Sequence, residues 1–285
     1  MNKRGVVLII SYMVIAVLVI LGISLIARSV SESNIAQRHF NSSKAFWLAE
    51  AGIAAAIEDF PNSPLNGFLD DANHTYTTQT QPVAGVPDRY SIVSTGSVTR
   101  PSADTITRTV QVIVEVPQPG SMDDAISATG NIVVGGAAKI NGTVNPNAVF
   151  TFEEKFGLTE AQMRAQADYY YKDPPNNVLP VDGITWIDTT PGNEVVISLV
   201  PWSGNGILIV NGDVKMTGGD FTGIMWVNGT FEVAAGNPEI YGTVFANCGA
   251  EDTVVLGTAD LTWDINAIND ALSKISPFIL SWQEL

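Results

Sequence analysis

Charge is scarce in this chain and one sign dominates it. Only 15% of the 285 residues are charged, 14 Lys and Arg against 29 Asp and Glu. A net charge of −15 and a pI near 4.3 repel a phosphate backbone, which excludes nucleic acid as a partner. Cysteine is reduced to Cys248, so an intrachain disulfide and any multi-cysteine metal site are excluded, and Cys248 reads as a small core residue. The two histidines, His39 and His74, are too few for a multi-histidine metal centre or a well-furnished Ser-His-Asp triad. No Gly-x-Ser-x-Gly, P-loop or dinucleotide fingerprint stands at a strand–helix junction. The acidic pairs Asp70-Asp71, Asp123-Asp124, Glu153-Glu154 and Glu251-Asp252 read as solvated loop residues, and none has EF-hand spacing. The chain is therefore expected to be no enzyme, with no catalytic, cofactor-binding or metal-ligating residues.

Proline is missing from the start of the chain, where Pro61 is the first. Before it, Val6 to Ala27 is almost unbroken apolar sequence, interrupted mildly by Ser11, Tyr12, Gly22 and Ser24. At ~1.5 Å per residue this run makes roughly 33 Å of helix, the thickness of a bilayer's hydrocarbon core. Lys3 and Arg4 precede it, while Arg28 behind it is balanced by Glu32, which places the N-terminus in the cytoplasm and the remainder across the membrane. A cleaved secretory signal has a shorter apolar region and no reason to continue as helix. Here residues 29–38 hold neither Pro nor Gly, and Phe46, Ala49, Ile53, Ala56 and Phe60 recur at helical spacing. One long helix over 6–60 is predicted, transmembrane over 6–27 and amphipathic beyond.

These same residues carry a resemblance. Met1-Asn-Lys-Arg-Gly-Val-Val-Leu-Ile-Ile10 resembles a type IV prepilin leader. Lys44-Ala-Phe-Trp-Leu-Ala-Glu-Ala-Gly52 is similar to a stretch of PilX-type minor pilins. The resemblance implies cleavage by a prepilin peptidase between Gly5 and Val6, with residues 1–5 as leader, followed by methylation of the new amine. It departs from major pilins at the fifth mature position, where they carry Glu and this chain has Ile10. That departure implies a minor subunit.

Past the helix, 61–75 is loop-like, and the alternating stretches 90–98 and 105–116, joined by a turn at 101–104, read as an antiparallel pair able to lie against the helix. Pro117, Pro119 and Gly120 close this small β region at 119. Beyond it, Ile140-Asn-Gly-Thr-Val, Val210-Asn-Gly-Asp-Val, Val227-Asn-Gly-Thr-Phe and Ile240-Tyr-Gly-Thr-Val repeat one pattern, which predicts a β-helix-like solenoid over 120–285. A β-sandwich of Asn-Gly hairpins is the alternative. The capping-box spacing Thr159–Gln162 starts a helix with Met163, Ala167 and Tyr170 on one face. A second helix has Asp264 as N-cap and the stripe Leu261, Ile265, Ile268, Leu272, Ile275. Most of the tryptophans after residue 120 are expected to fill the solenoid.

The expected fold is α+β: a long transmembrane and amphipathic helix on a small antiparallel sheet, then a solenoid with capping helices. The expected role is structural, a minor pilin or pseudopilin in type IV pilus or type II secretion pseudopilus assembly. Its partners are a prepilin peptidase, other pilin subunits and the cytoplasmic membrane, and its final place is the pilus or cell surface. A membrane-anchored adhesin or carbohydrate-binding module is the alternative.

Overall fold

The computed structural model describes all residues except 1, 2, 61, 63, 69–71, 101–103, 199, 200 and 235, with side chains from Tyr12 onward. The chain opens with α1 (Lys3–Glu58), β1 (Asn66–Phe68), β2 (His74–Pro82), β3 (Arg89–Thr99) and β4 (Thr105–Glu115). Then come β5 (Asp124–Ala128), β6 (Ile132–Val134), β7 (Lys139–Asn141), β8 (Thr143–Asn145), α2 (Phe152–Phe156), α3 (Glu160–Ala165) and β9 (Tyr169–Lys172). β10 (Ile184–Asp188), β11 (Glu194–Ile197), β12 (Ser203–Asn211), β13 (Asp213–Met216), β14 (Asp220–Val227) and β15 (Phe231–Val233) follow. The last elements are β16 (Glu239–Ala246), β17 (Thr253–Val255), β18 (Asp260–Thr262), α4 (Ile265–Leu272) and β19 (Phe278–Glu284). The chain divides into two compact units, residues 1–115 with 279–285, and residues 116–278.

In the first unit α1 is unbroken for 56 residues, about 84 Å. Its last turns lie on a five-stranded sheet of order β1-β2-β3-β4-β19. The β3–β4 pair is antiparallel from Arg89↔Glu115 to Thr99↔Thr105, as the alternation predicted. Most of the turn expected at 101–104 lies outside the described residues, as does the pair Asp70-Asp71. Two features differ from the sequence reading. The stretch read as loop over 61–75 contains β1 and the start of β2. The fifth strand, β19, comes from the chain's end, so the solenoid unit stops at Phe278 and the last residues serve the first sheet. Trp282 accordingly belongs to the first unit and fills no solenoid core.

The second unit is a parallel solenoid, and the sandwich alternative is excluded by the parallel sense of every ladder in it. Successive coils stack β10, β12, β14 and β16 in one sheet and β11, β13, β15 and β17 in another. Gly206, Gly223 and Gly242 fall in register where the long strands bend. Each has positive φ, between 96° and 133°, a region that glycine enters without the cost a Cβ imposes. A Cβ on Gly223 would also stand 2.0 Å from the Gly206 carbonyl oxygen.

Beyond that bend the strands read as continuous apolar runs, Ile207-Leu-Ile-Val210 and Ile224-Met-Trp-Val227. The reason is burial on both faces, the pattern of covered parallel sheets. Leu208, Val210, Met225 and Val227 face the solenoid interior with Phe231, Val233 and Val255. Ile207, Ile209, Ile224 and Trp226 face outward under Phe152, Phe156, Met163 and Ile268 of α2, α3 and α4. The helices thus cap one outer face. Both predicted N-caps hold: Thr159 makes a reciprocal capping box with Gln162, and Asp264 accepts from the amides of Asn266 and Ala267. Two limits were misread. Tyr170 lies on β9 and not on the helix that begins at Glu160, and Leu261 lies on β18 before α4.

The four repeats take two roles. Val210–Val214 and Val227–Phe231 turn the corner between sheets, whereas Ile240–Val244 lies inside β16 with its glycine at the bend. Ile140 reaches the same position, two coils away, through Leu261. The solenoid also closes on itself. β5 and β6 pair with β16 and β17, and β18 pairs with β16 beside β5, so the unit's first and last strands share one coil. Trp263 Nε1 donates to the Met122 carbonyl at 2.8 Å, tying exit to entry.

In the first unit Gly96 permits a comparably close approach, since a Cβ there would lie 2.0 Å from the Ala45 carbonyl oxygen and 2.6 Å from the Ala49 nitrogen. Gly96→Ala and Gly223→Ala should each lower stability by about 1–3 kcal/mol, with the larger loss at Gly223, where backbone strain adds to overlap. Chemical denaturation of the full chain, followed by tryptophan fluorescence, measures both.

Candidate functional site

The lower half of α1 offers lipid-like surface and little else. Its large apolar side chains from Tyr12 to Ile26 are each more than half exposed. Burying one such side chain is worth about 1.5–3 kcal/mol, so a row of them calls for an apolar surrounding. Among the described residues this is the one helix long and apolar enough to cross a bilayer. Gly5 and Val6, the predicted processing residues, fall within α1, as does Ile10; their side chains lie outside the described residues.

The upper half is built for contact at short range. Ala45, Leu48, Ala49, Gly52, Ile53 and Ala56 form the buried face, at the i, i+3, i+4, i+7 spacing of one helix side. Small residues dominate because the sheet comes so near. A Cβ on Gly52 would lie 2.2 Å from Ser94 Oγ and 2.9 Å from the Tyr76 ring. The predicted stripe is therefore correct at Ala49, Ile53 and Ala56, while Phe46 and Phe60 sit half-buried at its margins. The Lys44–Gly52 stretch uses its other residues at the edges. Lys44 Nζ lies 3.1 Å from His74 Nε2, so His74 is the first residue of a strand and not a free loop side chain. Glu50 Oε1 accepts from Trp282 Nε1 at 2.6 Å, and Phe46 meets Trp282 edge-on at 6.0 Å between ring centroids. This last pairing joins α1 to β19, across most of the sequence. The apolar Phe278-Ile-Leu sequence with Trp282 carried a strand signal, but nothing local named its partner.

The solenoid holds a second polar constellation, at one corner of consecutive coils. Asn228 Nδ2 donates to Asn211 Oδ1 at 2.8 Å and Asn247 Nδ2 to Asn228 Oδ1 at 3.3 Å, an asparagine ladder. The ladder ends at Asp188, which accepts from Asn211, Trp186 Nε1, Tyr170 and Arg164 at 2.6–2.9 Å. Partial burial pushes the Asp188 carboxyl up. The hydrogen bonds from Trp186, Tyr170 and Asn211 and the Arg164 charge outweigh it and hold the carboxyl below its ordinary value. Asn211 and Asn228 also occupy the second place of an apolar-Asn-Gly repeat, so the ladder explains why that residue recurs there, while Asn247 extends it from an Ala-Asn-Cys sequence. Its donors and acceptors satisfy one another, which makes it a structural spine and leaves no side chain poised for chemistry.

The remaining candidates for chemistry are scattered. His39 is exposed on α1, Cys248 is buried, and Glu154 is engaged in the capping box of α2 with Thr151, a signal the sequence reading passed over. Asp124 accepts from Ser127 and Asn145 at 2.7 and 3.0 Å. No group of three His, Cys, Asp or Glu able to hold a metal exists among the described residues.

Asp188→Asn should destabilise the solenoid by about 1–3 kcal/mol at neutral pH, because an amide cannot accept from four donors. A carboxyl whose folded pKa is depressed adds stability above its unfolded value, near 4, and loses it as pH falls through the folded one. The gap between wild type and Asp188→Asn should therefore narrow below about pH 4. Thermal melts across the acid range measure it.

No protein-family model matches the chain, and no curated protein matches it. Among solved structures, it is similar to the crystal structure of the competence-associated pilin ComZ from Thermus thermophilus. The match has 13% identity, covers 86% of this chain and 97% of that chain, and has a TM-score of 0.28. An identity and a score that low say nothing of what this chain does.

Proposed function

We propose that the protein is a pilin-like structural subunit. α1 anchors it in the cytoplasmic membrane, the leader of residues 1–5 is removed between Gly5 and Val6 by a prepilin peptidase, and the new amine is methylated. The subunit then takes part, as a minor component beside other pilin subunits, in assembling a type IV pilus or a related pseudopilus at the cell surface. The observation that carries this reading is the continuity of α1. One unbroken helix exposes a membrane-length apolar half and lays a small-residue face on an antiparallel sheet with its other half. An anchor that served only as a tether would need no such extension, and a detachable signal would not share a helix with the fold's core.

The β-solenoid is inserted between β4 and β19. Ile10 supports the minor role. A fresh amine at Val6, brought into an apolar helix bundle, requires a carboxylate nearby, and Ile10 offers none to a neighbouring copy. This chain's own amine still accepts a partner's Glu.

Two outcomes follow. Intact mass of the membrane-extracted protein, co-expressed with a prepilin peptidase, should lack Met1 to Gly5, and a bulky residue at Gly5 should abolish the loss; an uncut chain, or a cut near residue 28, would refute the processing. Ile10→Glu should raise self-association, read by crosslinking in membranes. Long homopolymers of the unaltered chain would count against a minor subunit.

A further inference from the structure

Where α1 leaves its apolar run, two hollows meet. The larger, about 570 Å³, is lined by Ile35, Arg38, His39 and Ser42 of α1 and by Arg100 and Asp104 around the β3–β4 turn. The smaller, about 370 Å³, runs down the helix from Arg38 and Ile35 past the polar Asn34 and Ser31 and the apolar Val30 to Ala27, the last residue of the apolar run. Arg38 and Ile35 border both, so one groove begins at apolar surface and ends among cations. Two guanidiniums stand there against one carboxylate, that of Asp104, which pairs with Arg100. This leaves one positive charge before His39 is counted, in a chain whose net charge is −15. Arg38 has no ion-pair or hydrogen-bond partner among the described residues, and Arg100 Nε is buried with none. The positive charge here is therefore not neutralised by a described side chain.

We infer that this groove binds the phosphate of an outer-leaflet lipid headgroup, with Arg38 as principal ligand and Arg100 and His39 beside it. The inference rests on the reading of α1 as a membrane anchor. Arg38 lies about 16 Å beyond Ala27 along the helix axis. Helical side chains lean toward the N-terminus, and Arg38 borders the hollow that also reaches Ala27. The lean returns the guanidinium by about one turn, roughly 5 Å. The interfacial layer covers a further 5–7 Å, approximately, above the hydrocarbon core. What remains is about 4–6 Å, within reach of a headgroup phosphate that stands at the outer edge of that layer. A soluble anion would meet the charge but have no use for the apolar contacts of Ala27, Val30 and Ile35, whereas a lipid presents chain and phosphate in that order. Guanidinium suits the task because its fork of donors matches phosphate oxygens two at a time.

The test uses the full chain in nanodiscs with a photoreactive benzophenone side chain replacing Ser42. Irradiation followed by intact mass should show a phospholipid adduct in phosphatidylglycerol discs. The adduct should be lost in Arg38→Gln and kept in Arg38→Lys. Because Arg38 is exposed and unpartnered, its replacement leaves the fold intact. In discs of a phosphate-free galactolipid the adduct should be absent. An equal adduct in Arg38→Gln or in the galactolipid overturns the site. Displacement of the phosphatidylglycerol adduct by added inorganic phosphate would assign it to soluble phosphate and overturn the lipid assignment. A second benzophenone at Ile20 separates this from the anchor. It should crosslink either lipid in every variant, and its failure would sink the anchor reading and not the groove alone.

Discussion

The first unit depends on one close approach. α1 touches its sheet backbone to backbone at Gly96, with Ala45 and Ala49 above, because neither side offers a side chain to hold them apart. Everything around that contact is tuned to it. Larger residues such as Leu48 and Ile53 flank the small ones, Tyr76 and Ser94 fill the space over Gly52, and Ile92, Val110, Val112 and Val114 supply the buried apolar face beneath. A helix held this way is fixed in rotation as well as position. The orientation of its exposed side, including the membrane-length apolar run, is then set by the sheet. An amphipathic helix with a broad aliphatic face would tolerate slippage by a turn, which a glycine-to-alanine contact does not.

This explains which parts of the fold could be read from the sequence. The long helix was legible because nothing before Pro61 interrupts it and the small and apolar residues recur at helical spacing. β3 and β4 were legible because Ile92, Val98, Val110, Val112 and Val114 recur at every second position with mostly polar neighbours, Val93 and Ile113 excepted. β2 was not. Its inward residues include Thr78, buried yet hydrogen-bonded to the Leu65 amide at 3.1 Å, so a Thr- and Gln-rich strand hides its buried face from any hydrophobic pattern. β19 showed strand character but its partner lies across the whole solenoid, a pairing no local signal specifies.

In the solenoid the legible feature was glycine, and the error was to give it one meaning. Apolar-Asn-Gly turns a corner after Val210 and Val227, where the Asn joins the ladder, whereas Ile240-Tyr-Gly bends a strand in register with Gly223 and Gly206. The two sites look alike because both require a residue without Cβ beside a stacked backbone. They differ in what precedes the glycine. Asn binds its counterpart in the next coil, whereas Tyr241 lies partly exposed and donates its hydroxyl to Glu239. The coil spacing was therefore irregular in sequence while the register in space is strict. The polar constellation at Asp188 was illegible for the same reason, since its members come from β9, β10, α3 and the end of β12.

The return of the chain carries the last consequence. β4 ends at Glu115 and β19 begins at Phe278, so the first sheet gains its final strand only after the whole solenoid has been traversed. Leu285 N reaches the Thr109 carbonyl at 3.0 Å, Gln283 reaches Gln111 at 2.6 Å, and Trp282 reaches Glu50 on α1. Such contacts close a very long loop, and they are affordable only because the loop's ends are held together by its own fold. β5 and β18 provide that: they lie on the same coil, both against β16, and the Trp263–Met122 bond fastens them. A solenoid wound in simple chain order would deliver its exit at the far end from its entry. This one starts one coil from an end of the stack, beside β16, completes that end with β7 and β8, restarts at β9 at the opposite end and winds back to β18. Its topology is thus what lets a linear repeat architecture behave as an insertion within another unit.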